Sequence, residues 1–252
     1  PMATHGTLCV STQVGCRMGC LFCGTGRQGF VRDLSAAEIV GQMYTARKTL
    51  GRDIRNIVFM GMGEPMDNLD SVLQAVRVLK EDRGFAVAHR RMTLSTAGLV
   101  GGIHRLARIG WPNLRLAVSL NAPNDRIRSR LMPVNRRFGM ARLREALLDY
   151  PLKRGGAIFV EYILIRGVND AREHARELAD YLRPLPARLN LIAFNPGADD
   201  TFAAPDDAGV RRFRDWLVAE KVFVRIRSPR GRPLAAGCGQ LGGMPQCMTS
   251  SA

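Results

Sequence analysis

Two kinds of apolar pattern alternate along the chain. Short runs rich in branched aliphatic residues predict strands over 7–13, 54–60, 91–96, 114–120, 157–165 and 188–194, with a terminal edge strand over 221–227. Between them apolar positions recur every three or four residues, which predicts amphipathic helices over 69–82, 102–110, 143–150, 171–182 and 206–220. A further helix opens at Ser35. Glu38 stands three residues on, as a capping box requires, and Ile39, Val40, Met43 and Tyr44 supply the apolar stripe. Six strand–helix repeats point to an α/β fold in which a parallel sheet rolls into a partial (βα)6 TIM-like barrel. No linker or low-complexity segment interrupts them, so residues 1–252 read as one domain.

Composition adds limits. The 252 residues are 46% hydrophobic, ordinary for a globular domain, and no apolar run reaches bilayer-spanning length. No secretory leader is visible, so the six cysteines read as reduced thiols of a cytoplasmic, monomeric protein without a membrane partner. The chain opens on Pro1 rather than Met, which leaves room for an upstream segment. A formal charge of +15 suits a polyanion, since clustered cations gain affinity by releasing counterions from phosphates. Drift toward arginine explains it equally well, because Lys48, Lys80, Lys153 and Lys221 are the only lysines. The arginines cluster twice, at Arg126, Arg128, Arg130, Arg136 and Arg137, and at Arg225, Arg227, Arg230 and Arg232. Such clusters suit phosphate oxygens or form a solvated face.

Candidate chemistry concentrates at Cys16-Arg17-Met18-Gly19-Cys20-Leu21-Phe22-Cys23, in a loop over 14–30 that follows the first strand. Three thiolates spaced C-x3-C-x2-C can hold an iron–sulfur cluster, and with no fourth ligand one iron stays open. A zinc site completed by His5, His89, Cys238 or Cys247 is the competing reading, although C-x3-C is an unusual zinc spacing. Disulfides within the triplet would be strained. Of the other thiols, Cys9 in its strand reads on composition as a small buried hydrophobe. Cys238, between Gly237 and Gly239 in a tail over 228–252, reads as exposed, and Cys247 fits no pattern.

Other candidates fall just after strands, where barrels of this class place their chemistry. Gly61-Met62-Gly63-Glu64-Pro65 offers glycines that permit close backbone approach and a carboxylate that could meet an ammonium. Ser95, Ser119 and Asn121 end the next two strands, and Asn124-Asp125 reads as a helix start.

At these residues the chain resembles a known family. The cysteine spacing is that of radical S-adenosylmethionine (SAM) enzymes. Leu8-Cys9-Val10-Ser11-Thr12-Gln13-Val14-Gly15-Cys16 and Gly24-Thr25-Gly26-Arg27-Gln28-Gly29-Phe30 are similar to the RlmN/Cfr group of RNA adenine methyltransferases, and the resemblance runs from about Thr7 to Leu241. It implies a [4Fe–4S] cluster on Cys16, Cys20 and Cys23 whose open iron binds SAM. It implies SAM contacts at Gly63 and Glu64, at Ser95, at Ser119, Leu120 and Asn121, and at Asn195 before Pro196. Asn121 stands where the family more often has histidine.

Cys238, in Ala236-Gly237-Cys238-Gly239-Gln240-Leu241, and Cys9 match the family's two catalytic cysteines. Carbon 2 of adenine is electron-poor and cannot simply attack the SAM methyl, so the resemblance implies a radical route. One SAM methylates Cys238. A second yields a carbon-centred radical that takes hydrogen from the S-methyl group, and the methylene radical adds to the adenine. Cys9 resolves the adduct while a Cys9–Cys238 disulfide forms. The implied substrate is 23S rRNA, with tRNA as a second, and the implied electron donor is a flavodoxin or ferredoxin.

Family members also carry an N-terminal RNA-binding extension and, near its junction with the barrel, a glutamate proposed as proton acceptor. Starting at Pro1, this chain covers neither, and Glu161 is the carboxylate offered by location in its place. The sequence leaves three classes open: an adenine-C2 methyltransferase; a C8-methylating relative or a radical SAM enzyme with a non-RNA substrate; and a zinc-stabilised RNA-binding module.

Overall fold

The structure, a computed structural model, describes residues 6–196 and 201–227. Its strands are β1 (Gly6–Cys9), β2 (Gln13–Gly15), β3 (Phe30–Asp33), β4 (Ile54–Phe59), β5 (Met92–Thr96), β6 (Arg115–Ser119), β7 (Ile158–Leu164), β8 (Ala187–Ala193) and β9 (Val224–Arg227). Seven of them form one sheet in the order β1-β4-β5-β6-β7-β8-β9, every neighbouring pair parallel. Each crossover adds its strand on the same side, so the sheet curls into an open half-barrel with β1 and β9 as edges. This is the parallel α/β architecture that the repeats predict, with the seventh strand at the predicted terminal edge.

The helices that cover the sheet are α1 (Gly24–Gln28), α2 (Ala36–Tyr44), α3 (Leu69–Lys80), α4 (Val100–Ile109), α5 (Asp125–Leu131), α6 (Met140–Leu148), α7 (Arg172–Leu182) and α8 (Asp207–Ala219). The predicted capping box opens α2: Ser35 Oγ accepts from Glu38 N at 3.2 Å, and Glu38 Oε2 accepts from Ser35 N at 2.9 Å. Asn124 caps α5 through Ile127 N, as the Asn-Asp start predicts. The main core fills the space between helices and sheet, with residues such as Ile57, Leu94, Leu116, Val160 and Phe213 buried. A second, smaller core lies beyond the strand ends, where Cys20 and Phe22 pack with Ile127, Leu131, Met132 and Phe194. It seats the cysteine loop.

One predicted element differs. The strand expected over 7–13 stops at Cys9, and the chain bends at Thr12, just after Ser11. Gln42 of α2 explains the break: its Oε1 accepts from Ser11 N at 2.8 Å and its Nε2 donates to Ser11 O at 2.9 Å. Ser11 therefore needs no strand partner. The chain resumes as β2, which pairs antiparallel with β3 and clasps the two ends of the cysteine loop.

Candidate functional site

The loops after β4, β5 and β6 meet the cysteine loop over one pocket at the carboxyl ends of the strands. Cys16, Cys20, Cys23, Gly63 and Glu64 line it, together with Ser95, Ser119 and Asn121 from the next two strand ends. Eight of the residues singled out from the sequence thus share a wall.

Glu64 is buried, and its carboxylate is held by the backbone: Oε1 accepts from Met66 N at 3.0 Å and Oε2 from Ala97 N at 2.6 Å. Burial outweighs these bonds and lifts its pKa from 4.5 to about 7. A cation entering the pocket would reverse that shift and hold the group ionised. Gln13, not anticipated from the sequence, ties the loop to the hairpin. Its Oε1 accepts from Glu64 N at 2.9 Å, while its Nε2 donates to Asp33 at 2.8 Å and Asp67 at 2.9 Å. The two glycines of the loop serve the same join. A Cβ on Gly63, whose φ is +98°, would lie 2.6 Å from Gln13 Cβ, and one on Gly61 would lie 2.7 Å from Ser11 Oγ. Their close approach is to the chain's own Ser11–Gln13 segment.

A second unanticipated residue braces the far wall. Arg128 of α5 is fully buried, and its guanidinium donates to Ala97 O at 2.6 Å, Leu120 O at 3.1 Å, Ser119 O at 3.3 Å and Asn135 Oδ1 at 2.8 Å. One side chain thus locks the loop after β5 to the loop after β6. Leu120 itself faces the core, its amide bonded to Glu161 O at 3.0 Å. Asn121 adopts φ +57°, which asparagine tolerates, and its Oδ1 accepts from Ile163 N at 2.9 Å. The side chain that replaces the family's usual histidine is therefore spent on the end of β7.

The thiols sit in a desolvating wall. Burial pushes Cys16 up to about 11 and Cys20 higher still, and the neighbouring thiols add to the shift on Cys20. Without a cation such groups are protonated; thiolates here require metal to stabilise them. Three thiols and the Glu64 carboxylate in one pocket wall are a donor set that suits an iron–sulfur cluster and a cationic ligand.

Cys9 is exposed at the carboxyl end of edge strand β1. Asn195 is buried just after β8, its Oδ1 without a hydrogen-bond partner among the described residues. Cys238 and Cys247 lie outside the described residues, as does the pairing expected between Cys9 and Cys238. No helix among the described residues is long and apolar enough to cross a membrane.

Comparison with known proteins agrees with this geometry. Residues 10–181 match the Radical SAM superfamily. The chain is 47% identical over 248 residues to the dual-specificity RNA methyltransferase RlmN of Halorhodospira halophila, covering 96% of this chain and 68% of that one. It is 47% identical over 243 residues to the RlmN of Syntrophobacter fumaroxidans, covering 96% and 70%. A crystal structure of a radical SAM methyltransferase from Sphaerobacter thermophilus superposes with a TM-score of 0.89 at 44% identity, over 94% of this chain and 70% of that one.

Proposed function

The chain belongs to the radical SAM superfamily and, within it, to the dual-specificity RNA methyltransferases RlmN, and from that premise we propose that it methylates C2 of an adenine in 23S rRNA and in tRNA. The methyl passes through S-methyl-Cys238, and two SAM molecules are consumed for each methyl delivered. The observation that carries this reading is the convergence of Cys16, Cys20, Cys23 and Glu64 on one pocket at the strand ends.

When bound, the cluster on Cys16, Cys20 and Cys23 supplies the electron that cleaves SAM, delivered to it by a flavodoxin or ferredoxin. The chain's own residues do the rest. Glu64 receives the methionyl ammonium, and Gln13 and the Ala97 amide keep its carboxylate facing the pocket. Ser95, Ser119 and Asn195 supply further polar contacts, and Leu120 and Asn121 contribute through their backbones. Arg128 holds those loops in mutual register. Cys9 resolves the protein–RNA adduct: the bond from Cys238 sulfur to carbon breaks as a Cys9–Cys238 sulfur–sulfur bond forms. In this reading residues 1–252 are one radical SAM core, with the cysteine loop over 14–30 and a catalytic tail over 228–252. The compartment it implies is the cytoplasm, and the working unit a monomer.

The test is anaerobic reconstitution with iron and sulfide, followed by dithionite, methyl-labelled SAM and rRNA or tRNA fragments, with nucleoside mass spectrometry of the product. Label at C2 of adenosine, lost in Cys9→Ala and Cys238→Ala, is the expected result. SAM turnover with unlabelled RNA would overturn the substrate; label at C8 would overturn the position.

A further inference from the structure

Barrel interiors are ordinarily filled by branched apolar side chains. The concave face of this half-barrel carries charged and amide side chains among apolar ones such as Val58, Phe159 and Ile163. At its centre, on β7, Glu161 lines both the cysteine pocket and a second cavity toward the amino ends of the strands. Its side chain is 8% exposed. Oε1 accepts from Asn190 Nδ2 at 2.8 Å and lies 3.7 Å from Arg227 Nη1; Oε2 has no hydrogen-bond partner among the described residues. A buried acceptor left unmade is costly and rare, so its presence at a cavity wall points to a donor that arrives from outside.

The cavity it faces is cationic. Arg225 and Arg227 enter it from β9, and Arg91 and Arg115 from the amino ends of β5 and β6. Arg225 stands in register with Asn190, and Asn190 with Glu161, so acceptor, brace and cation occupy one row across three strands.

We propose that this face seats the target nucleotide of the RNA, with Glu161 Oε2 accepting a hydrogen bond from the exocyclic amine of an adenine and Arg225 and Arg227 holding the adjoining phosphates. The inference rests on the RNA-substrate reading above and deepens it. Adenine offers an amine donor beside the N1 acceptor on one edge. Burial raises the Glu161 pKa, and the protonated carboxyl would donate to N1 while accepting from the amine, so that edge is matched in either state. SAM also carries adenine, but it has no phosphate and would leave the arginines without a ligand; the row of three strands therefore favours the RNA.

The test uses the full chain and two fluorescein-labelled pentanucleotide RNAs, UUAUU and the same sequence with purine riboside at its centre, which keeps the N1 acceptor and lacks only the amine. Fluorescence anisotropy at fixed salt should give about tenfold tighter binding of the adenosine RNA, the size of one hydrogen bond to a charged group. Glu161→Leu, which offers the amine no acceptor, should erase that preference while leaving the SAM Kd, by calorimetry, within about twofold. Asn190→Ala keeps the carboxylate and removes its brace, and should narrow the preference even if the first variant folds poorly. Arg225→Ala and Arg227→Ala should weaken both RNAs alike and each lower the salt slope by about 0.7. A preference unchanged in Glu161→Leu and Asn190→Ala overturns the inference, as does an unaltered salt slope in the arginine variants. A fall in SAM affinity instead assigns the amine to SAM. Methylation is scored separately: rRNA product with an unmoved base preference sinks only the present inference, whereas a moved preference without product sinks only the proposed reaction.

Discussion

Arg128 shows how much of a site one side chain can carry. It is a buried cation whose four close acceptors are three backbone carbonyls and an amide oxygen, with burial pulling its pKa down from the usual guanidinium value. Replacing it with Met strands buried acceptors in both loops it joins. At about 1 kcal/mol or more for each, Arg128→Met should lower the urea unfolding free energy by roughly 3 kcal/mol. Arg128→Lys retains the charge but not the planar fan, and should recover less than half of that. Glu64 gives a prediction in pH. Its folded pKa of about 7 lies above the ordinary 4.5, so its neutral form favours the fold. That contribution is complete below pH 4.5 and is lost as pH rises through 7, by roughly 3 kcal/mol in all. Urea midpoints at pH 5 and pH 8 should differ accordingly in the wild type, and Glu64→Gln should lack that component of the difference. Glu64 was legible from its motif because motif and function coincide. Arg128 was not: in sequence it is one of five arginines in a basic run, and only the fold turns it inward while Arg126, Arg130, Arg136 and Arg137 stay exposed.

At the scale of elements, legibility followed length. Helices of nine residues or more and the strands of the main sheet after β1 have enough turns or alternations to set a period, and their predicted limits lie within a few residues of those observed. The β2–β3 hairpin has three and four residues, too few for any period, so periodicity alone carries the first strand straight through the bend that follows Ser11. What fixes that bend is a side chain 31 residues away, Gln42. The same non-local logic governs the Gly61-Met62-Gly63 loop, which looks in sequence like a cradle for a ligand and in space accommodates Ser11 and Gln13. Gly63→Ala must move Gln13 and also hold φ near +98°. A loss of about 2–4 kcal/mol in unfolding free energy is expected, along with weaker SAM binding as Gln13 releases the Glu64 amide. Gln13→Ala tests the join without backbone strain: it should weaken SAM binding in the same direction at a smaller stability cost. SAM affinity unchanged in both variants would show that the hairpin does not set the position of Glu64.

For the whole molecule, the +15 charge is a poor guide until the arginines are sorted by where they point. Arg32, Arg55, Arg105 and Arg183 are exposed and, like the half-buried Arg214, paired with acids, and Arg128 is internal. Arg126, Arg130, Arg136 and Arg137 are exposed on α5 and the turn after it, with no ion pair among the described residues. Their position matters because Leu131 of α5 binds the cysteine loop directly, its carbonyl accepting from Leu21 N at 3.0 Å. An RNA that enters the pocket on the α5 side would bring its phosphates against these cations. Each such contact to a single strand contributes about 0.7 to the slope of log affinity against log salt. A double Arg130→Ala, Arg137→Ala variant should therefore bind a single-stranded rRNA fragment with a slope shallower by about 1.4. The measurement is anisotropy across a KCl series. Because both side chains are exposed, the unfolding free energy should change by less than about 0.5 kcal/mol for each substitution, unlike that of Arg128→Met. An unchanged slope in a stably folded variant would mean that RNA approaches the half-barrel from another side.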